Sequence, residues 1–292
     1  MTTRSKCARI MSATAALVTA ALVLRCDAEA QSAGTAGSKP SLPSSLAPAS
    51  AAALGALAAK IAADTGIADI ALSDGRSRVT GKPAGLIANA PMVLLGRVSL
   101  AATDGAELLA WMKTTGSAVR IGHGGGWSAT HACALQVQEL VGITGTLVAS
   151  PPDTTPLAML KAGTVDVLCD AVPAAIPEIT AGTINAYLLA ADERVTGLWD
   201  VPTADQAGLP LLSATVWLGL YASGDEAARA RLNAALQKAL ADEAVAQKLA
   251  DAGWTAFPLT HRSAKAHEDY AASDVERTQA AFEAAGIALP AR

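Results

Sequence analysis

Aromatic side chains are scarce in this chain: they make up 3% of its 292 residues, while 51% of the residues are hydrophobic. Any core must therefore be assembled from Ala, Val, Leu and Ile, through many small contacts rather than a few large rings. Charge is sparse as well, at 16%, and no run of lysine or arginine is present to follow a phosphate backbone, which argues against nucleic acid as a partner. Beyond residue 24 no apolar run is long enough to cross a bilayer, although the mean hydropathy is +0.33. Cysteine is limited to 4 residues, too few for a disulfide framework. His123, His131 and Cys133 lack zinc-site spacing, and His261 and His267 stand six apart, off a common helix face, so no metal and no cofactor is expected.

What is present begins with Arg4, Lys6 and Arg9, an uncharged stretch over 10–24, and the small-residue run Ala28-Glu29-Ala30. This order reads as a signal peptide over 1–30, cleaved after Ala30, and so as an exported, soluble protein. Arg25 before Cys26 disfavours lipidation, since a small residue normally stands there. Cleavage leaves an acidic chain with Cys133 and Cys169, in a compartment that permits disulfides. A bridge is allowed, but two small buried apolar residues are the expected state. Residues 31–48, rich in Ser, Gly, Ala and Pro, read as a flexible leader.

From Ala49 onward Leu54, Leu57 and Ile61 give a helix with one apolar stripe, stopped by Gly66, and 67–72 reads as a strand. A short strand over 90–95 follows. Asp104 and Glu107 have capping-box spacing for a helix with Leu108 and Trp111 on its buried face. Strands are expected at 118–121, 165–169, 184–190 and 216–222, and helices at 128–140, from Thr155-Pro156 to Gly163, and at 173–180. Strands alternating with short helices predict a parallel α/β sheet. After Asp225 three helices are expected, with Leu232, Leu236 and Leu240 in the first, Val245 and Leu249 in the second, and 263–285 as the third.

Several local motifs, in this order, resemble one family. Residues 122–131 form a glycine-rich loop with a serine and then a histidine. Pro156-Leu157-Ala158 precedes Gly163-Thr164-Val165-Asp166-Val167 and Asp170. Asp200-Val201-Pro202-Thr203 is followed by Ala207-Gly208-Leu209-Pro210, and Trp217-Leu218-Gly219-Leu220 by Arg231-Leu232-Asn233. From about Leu54 to the C-terminus this pattern resembles the Bug/TctC receptors of tripartite tricarboxylate transporters. The resemblance implies a periplasmic-binding-protein-like (type II) α/β fold of two domains with crossing hinge strands, near Val93 and Val216, and C-terminal helices. The domains would be 49–97 with 219–292, and 98–218. It implies a monomeric periplasmic receptor, not an enzyme, that captures a small carboxylate for membrane transporter subunits.

The chain also departs from that pattern. Where the family has a Pro-rich Gly-Gly loop and an acid, this sequence has Ser44-Ser45-Leu46-Ala47-Pro48-Ala49-Ser50-Ala51. A strand-bearing stretch is missing after Ser73-Asp74-Gly75-Arg76, which resembles a family turn, so a shortened connection is expected within 75–97. Pro151 stands where the family has a tyrosine. A receptor homologue that has lost ligand binding is therefore a second alternative.

The chemistry is expected at Gly124, Gly125, Gly126, Trp127, Ser128 and Thr130, where glycines let the backbone turn its amides inward and the helix start adds unpaired donors and a positive dipole end. The bland reading is a tight turn with Ser128 as a plain N-cap. Asp170, following the strand at 165–169, is placed either at a ligand cleft or as a turn cap, and Asp166 is read as structural. His123-Gly124-Gly125-Gly126 also spells the oxyanion run of some α/β-hydrolase esterases, but no G-x-S-x-G elbow accompanies it.

Overall fold

The computed structural model describes residues 42, 46–67, 69–74, 79 and 81–288. The expected signal peptide, its cleavage site, Cys26 and the Gly75-Arg76 part of the turn lie outside the described residues.

Helix α1 (Pro48–Thr65) buries Leu54, Leu57 and Ile61 as its stripe requires and ends on Gly66, whose φ of 71° closes the last turn. Strand β1 (Ile70–Ser73) follows, and then β2 (Lys82–Arg97), so 74–81 is all that separates the two. The expected short strand at 90–95 is thus the second half of a strand of 16 residues. Periodicity hid its first half because Ala84, Leu86, Ile87 and Ala88 are all buried, so neither face shows the polar alternation of an exposed strand.

Helix α2 (Gly105–Thr115) is capped by Asp104, whose side chain accepts the Glu107 N–H at 2.8 Å. The return arm of the capping box reaches the Thr103 N–H instead of the cap's own amide. Leu108, Leu109 and Met112 form its buried face, with Trp111 only half-buried. The strand expected at 118–121 is β3 (Arg120–His123), preceded by a 3-10 turn over Gly116–Ala118. Next come α3 (Ala129–Val141), β4 (Thr146–Ala149), α4 (Pro156–Lys161), β5 (Val167–Ala171), α5 (Val172–Thr180), β6 (Ile184–Leu189) and β7 (Thr215–Ala222). Strand β4, four residues long and at most half-buried, was not expected from the sequence. The C-terminal part is helical as expected: α6 (Glu226–Leu240), α7 (Glu243–Asp251), a short β8 (Thr255–Ala256) and α8 (Ala264–Ala284), with Asp225, Asp242 and Ser263 as N-caps.

The sheet runs β1-β7-β2-β5-β3-β4, with β6 and β8 also paired to β2. It is mixed rather than parallel. Among the described strands β3 pairs in parallel with β4 and with β5, whereas β2 runs antiparallel to β5, β6, β7 and β8. The first half of β2 pairs with β7 and β8, the second half with β5 and β6. One core, from α1, α6 and α7, packs against Ala84, Ala88, Leu218 and Leu220, and others pack around Met92 and Leu94 or Val93 and Leu95.

Cys133 of α3 and Cys169 of β5 are joined as a disulfide, contrary to the expectation of two unlinked buried residues. Packing α3 on the sheet brings their Cα atoms to 6.0 Å, within bridging range, a proximity that a separation of 36 residues does not reveal.

His267 of α8 is fully buried on the sheet. Its Nδ1 accepts the Gly85 N–H at 3.3 Å, and burial pushes its pKa down to about 4. The fit depends on a missing side chain, since a Cβ on Gly219 would lie 2.2 Å from the imidazole. Gly219→Ala is expected to destabilise the protein by roughly 1–3 kcal/mol in chemical denaturation, the usual range for overpacking. In Gly219→Ala combined with His267→Ala the loss should be smaller than the sum of the two single losses, whereas strict additivity would show that the imidazole does not set the constraint.

Candidate functional site

The glycine-rich loop is carried on a strand whose foot is held by an ion-paired cluster. Asp166, buried just before β5, accepts Arg120 Nη2 at 2.7 Å, Arg120 Nε and N–H at 3.0 Å each, and Arg97 Nε at 2.9 Å. Burial alone would raise its pKa, but these donors outweigh it and hold the carboxyl at about 2. The end of β2, the foot of β3 and the start of β5 are thereby locked together. The structural reading of Asp166 holds, although its two arginine partners were not legible.

Above that foot, residues 124–128 lead into α3. Gly125 and Gly126 have φ of 74° and 44°, the left-handed region in which a side chain is strained. Gly124 N–H donates to Thr130 Oγ1 at 2.8 Å, Gly125 N–H to His123 Nδ1 at 3.1 Å, and Ser128 N–H to the Gly125 carbonyl at 3.1 Å. Three of the amides expected to face a ligand, those of Gly124, Gly125 and Ser128, are therefore engaged within the loop. Ser128 is the N-cap of α3, its Oγ accepting the His131 N–H at 3.2 Å. Ser128 Oγ and Thr130 Oγ1 are 3.1 Å apart and share one hydroxyl hydrogen, which leaves the pair's other hydroxyl hydrogen available. Ala129 and Thr130 supply the first two amides of α3, which have no intrahelical acceptor. A Cβ on Gly126 would meet no atom within 4 Å, so the space beside the loop is open.

The His123 and His131 rings stack at 3.9 Å, Phe282 of α8 sits edge-on to His131 at 4.7 Å, and Trp127 stacks on Phe282 at 5.7 Å. Both histidines are buried. Burial, followed by the neighbouring His131, lowers the His123 pKa to about 4. Sequence reading missed this cluster; the only hint was a second histidine eight residues after the first. Among the described residues no group of three or more His, Cys, Asp or Glu is placed to hold a metal ion.

Asp170 lies in β5, paired with Val93 of β2, on the strand face opposite Cys169. Its Oδ1 accepts the Ala171 N–H at 2.7 Å, a local turn-capping bond, and burial pushes its pKa up to about 6. A cavity of about 410 Å3 between α3, α8 and 213–215 shares Ala129 with the loop but none of 124–128.

An esterase would need a base on its serine. His131 Nδ1 instead faces the Gly126 carbonyl at 2.8 Å, His123 Nδ1 takes the Gly125 amide, and Ser128 caps a helix.

The model of the tripartite tricarboxylate transporter family receptor matches residues 77–287. The chain belongs to that family. The receptor is 29% identical over 204 residues to the UPF0065 protein in the TAR-I ttuE-ttuC' intergenic region of Agrobacterium vitis, an alignment covering 69% of this chain and 59% of that one. It thus spans about three fifths of the length of that relative. It resembles MatC from Rhodopseudomonas palustris with bound malate (25% identity, TM-score 0.64, 80% of this chain and 90% of that one). The fold is also that of a Rhodopseudomonas palustris protein solved with adipate (18% identity, TM-score 0.75, 87% and 98%). The family is one of periplasmic solute receptors rather than enzymes, which removes the esterase alternative.

Because the folded-state pKa of Asp170 is raised from 3.8 to about 6, its charged form opposes folding: stability is highest below 3.8, falls between 3.8 and about 6, and is level above that. Asp170→Asn keeps an acceptor for the Ala171 amide and removes that charge. The variant is expected to be more stable than the parent by up to about 3 kcal/mol at pH 7.5 and nearly equal to it at pH 4. Melting curves at the two pH values check this; a difference independent of pH would refute the assignment.

Proposed function

We propose that the receptor is exported by its leader, binds a small carboxylate as a single chain in the periplasm, and delivers it to the membrane subunits of a tripartite tricarboxylate-type transporter. The observation that carries the binding reading is the start of α3. The Ala129 and Thr130 amides, the uncommitted hydroxyl hydrogen of the Ser128–Thr130 pair and the open space at Gly126 form one donor cluster at the positive end of a helix of 13 residues. Gly124 and Gly125 shape the loop through their internal bonds, and Trp127, stacked on Phe282, holds its outer side. Asp170, next to the disulfide that ties β5 to α3, is the remaining residue of the proposed site. Malate in MatC and adipate in the other neighbour are carboxylates of the proposed class.

The same reading divides the protein into 49–97 with 219–292 and a second domain over 98–218. Support comes from β2, which pairs with β7 and β8 along its first half and with β5 and β6 along its second, and from the separate cores that flank the two halves.

A thermal-shift titration with malate, adipate and a set of mono- and tricarboxylates tests the reading, since a ligand that binds only the folded state raises the melting temperature with concentration. At least one carboxylate is expected to do so. Gly125→Asp should abolish that shift, while Gly125→Asn, equally strained at φ of 74° but uncharged, should keep part of it. Ser128→Ala should weaken binding by roughly tenfold or more, as expected for one hydrogen bond to a charged group of ~1.5–3 kcal/mol. A set without any shift would favour a homologue that has lost ligand binding. Equal affinity in Gly125→Asp would move the site elsewhere.

A further inference from the structure

His123 and His131 each spend one ring nitrogen on a peptide group of the loop. Gly125 N–H donates to His123 Nδ1 at 3.1 Å, so that nitrogen must carry a lone pair and the ring its hydrogen on Nε2. His131 Nδ1 lies 2.8 Å from the Gly126 carbonyl, which can only accept, so this Nδ1 must carry a hydrogen. The two rings, stacked at 3.9 Å, therefore play opposite hydrogen-bonding roles at Nδ1, one accepting and one donating. Between them the Gly125 carbonyl is taken by the Ser128 N–H. The two left-handed glycines are thus pinned from both sides, one by the residue that ends β3 and one by a residue in the first turn of α3.

We propose that His123 and His131 are the positioning pair of the anion-binding loop, with the neutral Nε2–H form of His123 as the latch that holds the Gly125 peptide in its binding shape. The proposal rests on the reading of the loop as the carboxylate site. A hydrogen added at Nδ1 of His123 turns an acceptor into a donor pointing at the Gly125 N–H, so the bond is lost and the peptide is free to rotate. It also sets a cation against a second imidazole. Among the described residues the ionisable group whose charge acts on His123 is His131 itself, and burial opposes protonation further. Of the elements packed here, β4 pairs the uncharged Ala149 with His123, and α8 brings the uncharged Phe282 against His131. The latch is therefore closed at neutral pH and opens in acid.

Two substitutions separate the latch from plain packing. His123→Asn keeps an acceptor near the Nδ1 position but cannot titrate there, whereas His123→Phe keeps a stacking ring and has no acceptor. The first readout needs no ligand. In the full chain, hydrogen exchange at the Gly125 amide, measured by NMR against the exchange of β2 amides, should be slow at pH 7.5 and lose at least tenfold of its protection, after correction for intrinsic rates, near pH 4. His123→Asn should keep the protection at both pH values, and His123→Phe should lack it at both. The second readout is affinity for malate and adipate at pH 7.5, expected to fall at least tenfold in His123→Phe and less than threefold in His123→Asn. Protection that is independent of pH in the parent, or equal in the Phe variant, overturns the latch whatever the ligand result. If neither these two acids nor any other of the carboxylate set binds the parent while the exchange pattern is as expected, the latch stands and the carboxylate reading fails. Should His123→Phe not fold, the Asn variant alone decides, because loss of protection in it at pH 7.5 refutes the role of the acceptor.

Discussion

Strand β2 hydrogen-bonds to β5, β6, β7 and β8, and all but a few of its 16 side chains are buried. An unpaired backbone group at such depth costs about as much as a lost hydrogen bond, so this strand can exist only if four partners from distant parts of the chain meet it in register. Close approach is required on both faces. A Cβ on Gly85 would lie 2.6 Å from the Asn233 amide nitrogen and one on Gly96 2.7 Å from the Tyr187 ring. The strand ends on Arg97, which reaches Asp166, and Asp166 in turn holds Arg120 at the foot of β3. The position of the glycine-rich loop therefore follows from the pairing of β2 through an unbroken series of backbone and charged contacts.

Local signals in the sequence were read well where the cause is local. Asp104, Ser128, Thr155, Asp225 and Ser263 all cap helices by accepting an amide three residues on, and that chemistry depends only on neighbouring residues. The glycine-rich loop was legible for the same reason. The length of β2, the mixed sheet and the disulfide were not, because each depends on which distant segment lies alongside. Pro83 and Gly85 read as breakers in isolation, yet both fit a strand with register shifts at 83–85 and 86–88. Strand β4 is only four residues long and exists because β3 offers it a parallel edge.

The loop itself shows how the same glycines serve two purposes. Their freedom allows φ of 74° and 44°, and the hydrogen bonds made within the turn then remove that freedom. A loop whose amides at 124 and 125 are already satisfied is prepared before any ligand arrives, which lowers the ordering cost that binding must offset. The donors left over sit at one end of α3, and the disulfide fixes that helix to β5, next to Asp170.

The order of strands along the chain has a consequence for how the protein can be made. Helix α1, β1 and the first half of β2 come early, but the strands that complete their sheet, β7 and β8, lie more than a hundred residues later. The segment from β3 to β6 has its partners close by, apart from the end of β2 that directly precedes it. A chain emerging from its N-terminus can thus settle the middle first, while its opening hundred residues wait with an apolar strand unpaired until nearly the whole polypeptide is present. Long-range pairing of this kind makes the last step slow and leaves the waiting strand open to aggregation, which is the situation that holding chaperones relieve.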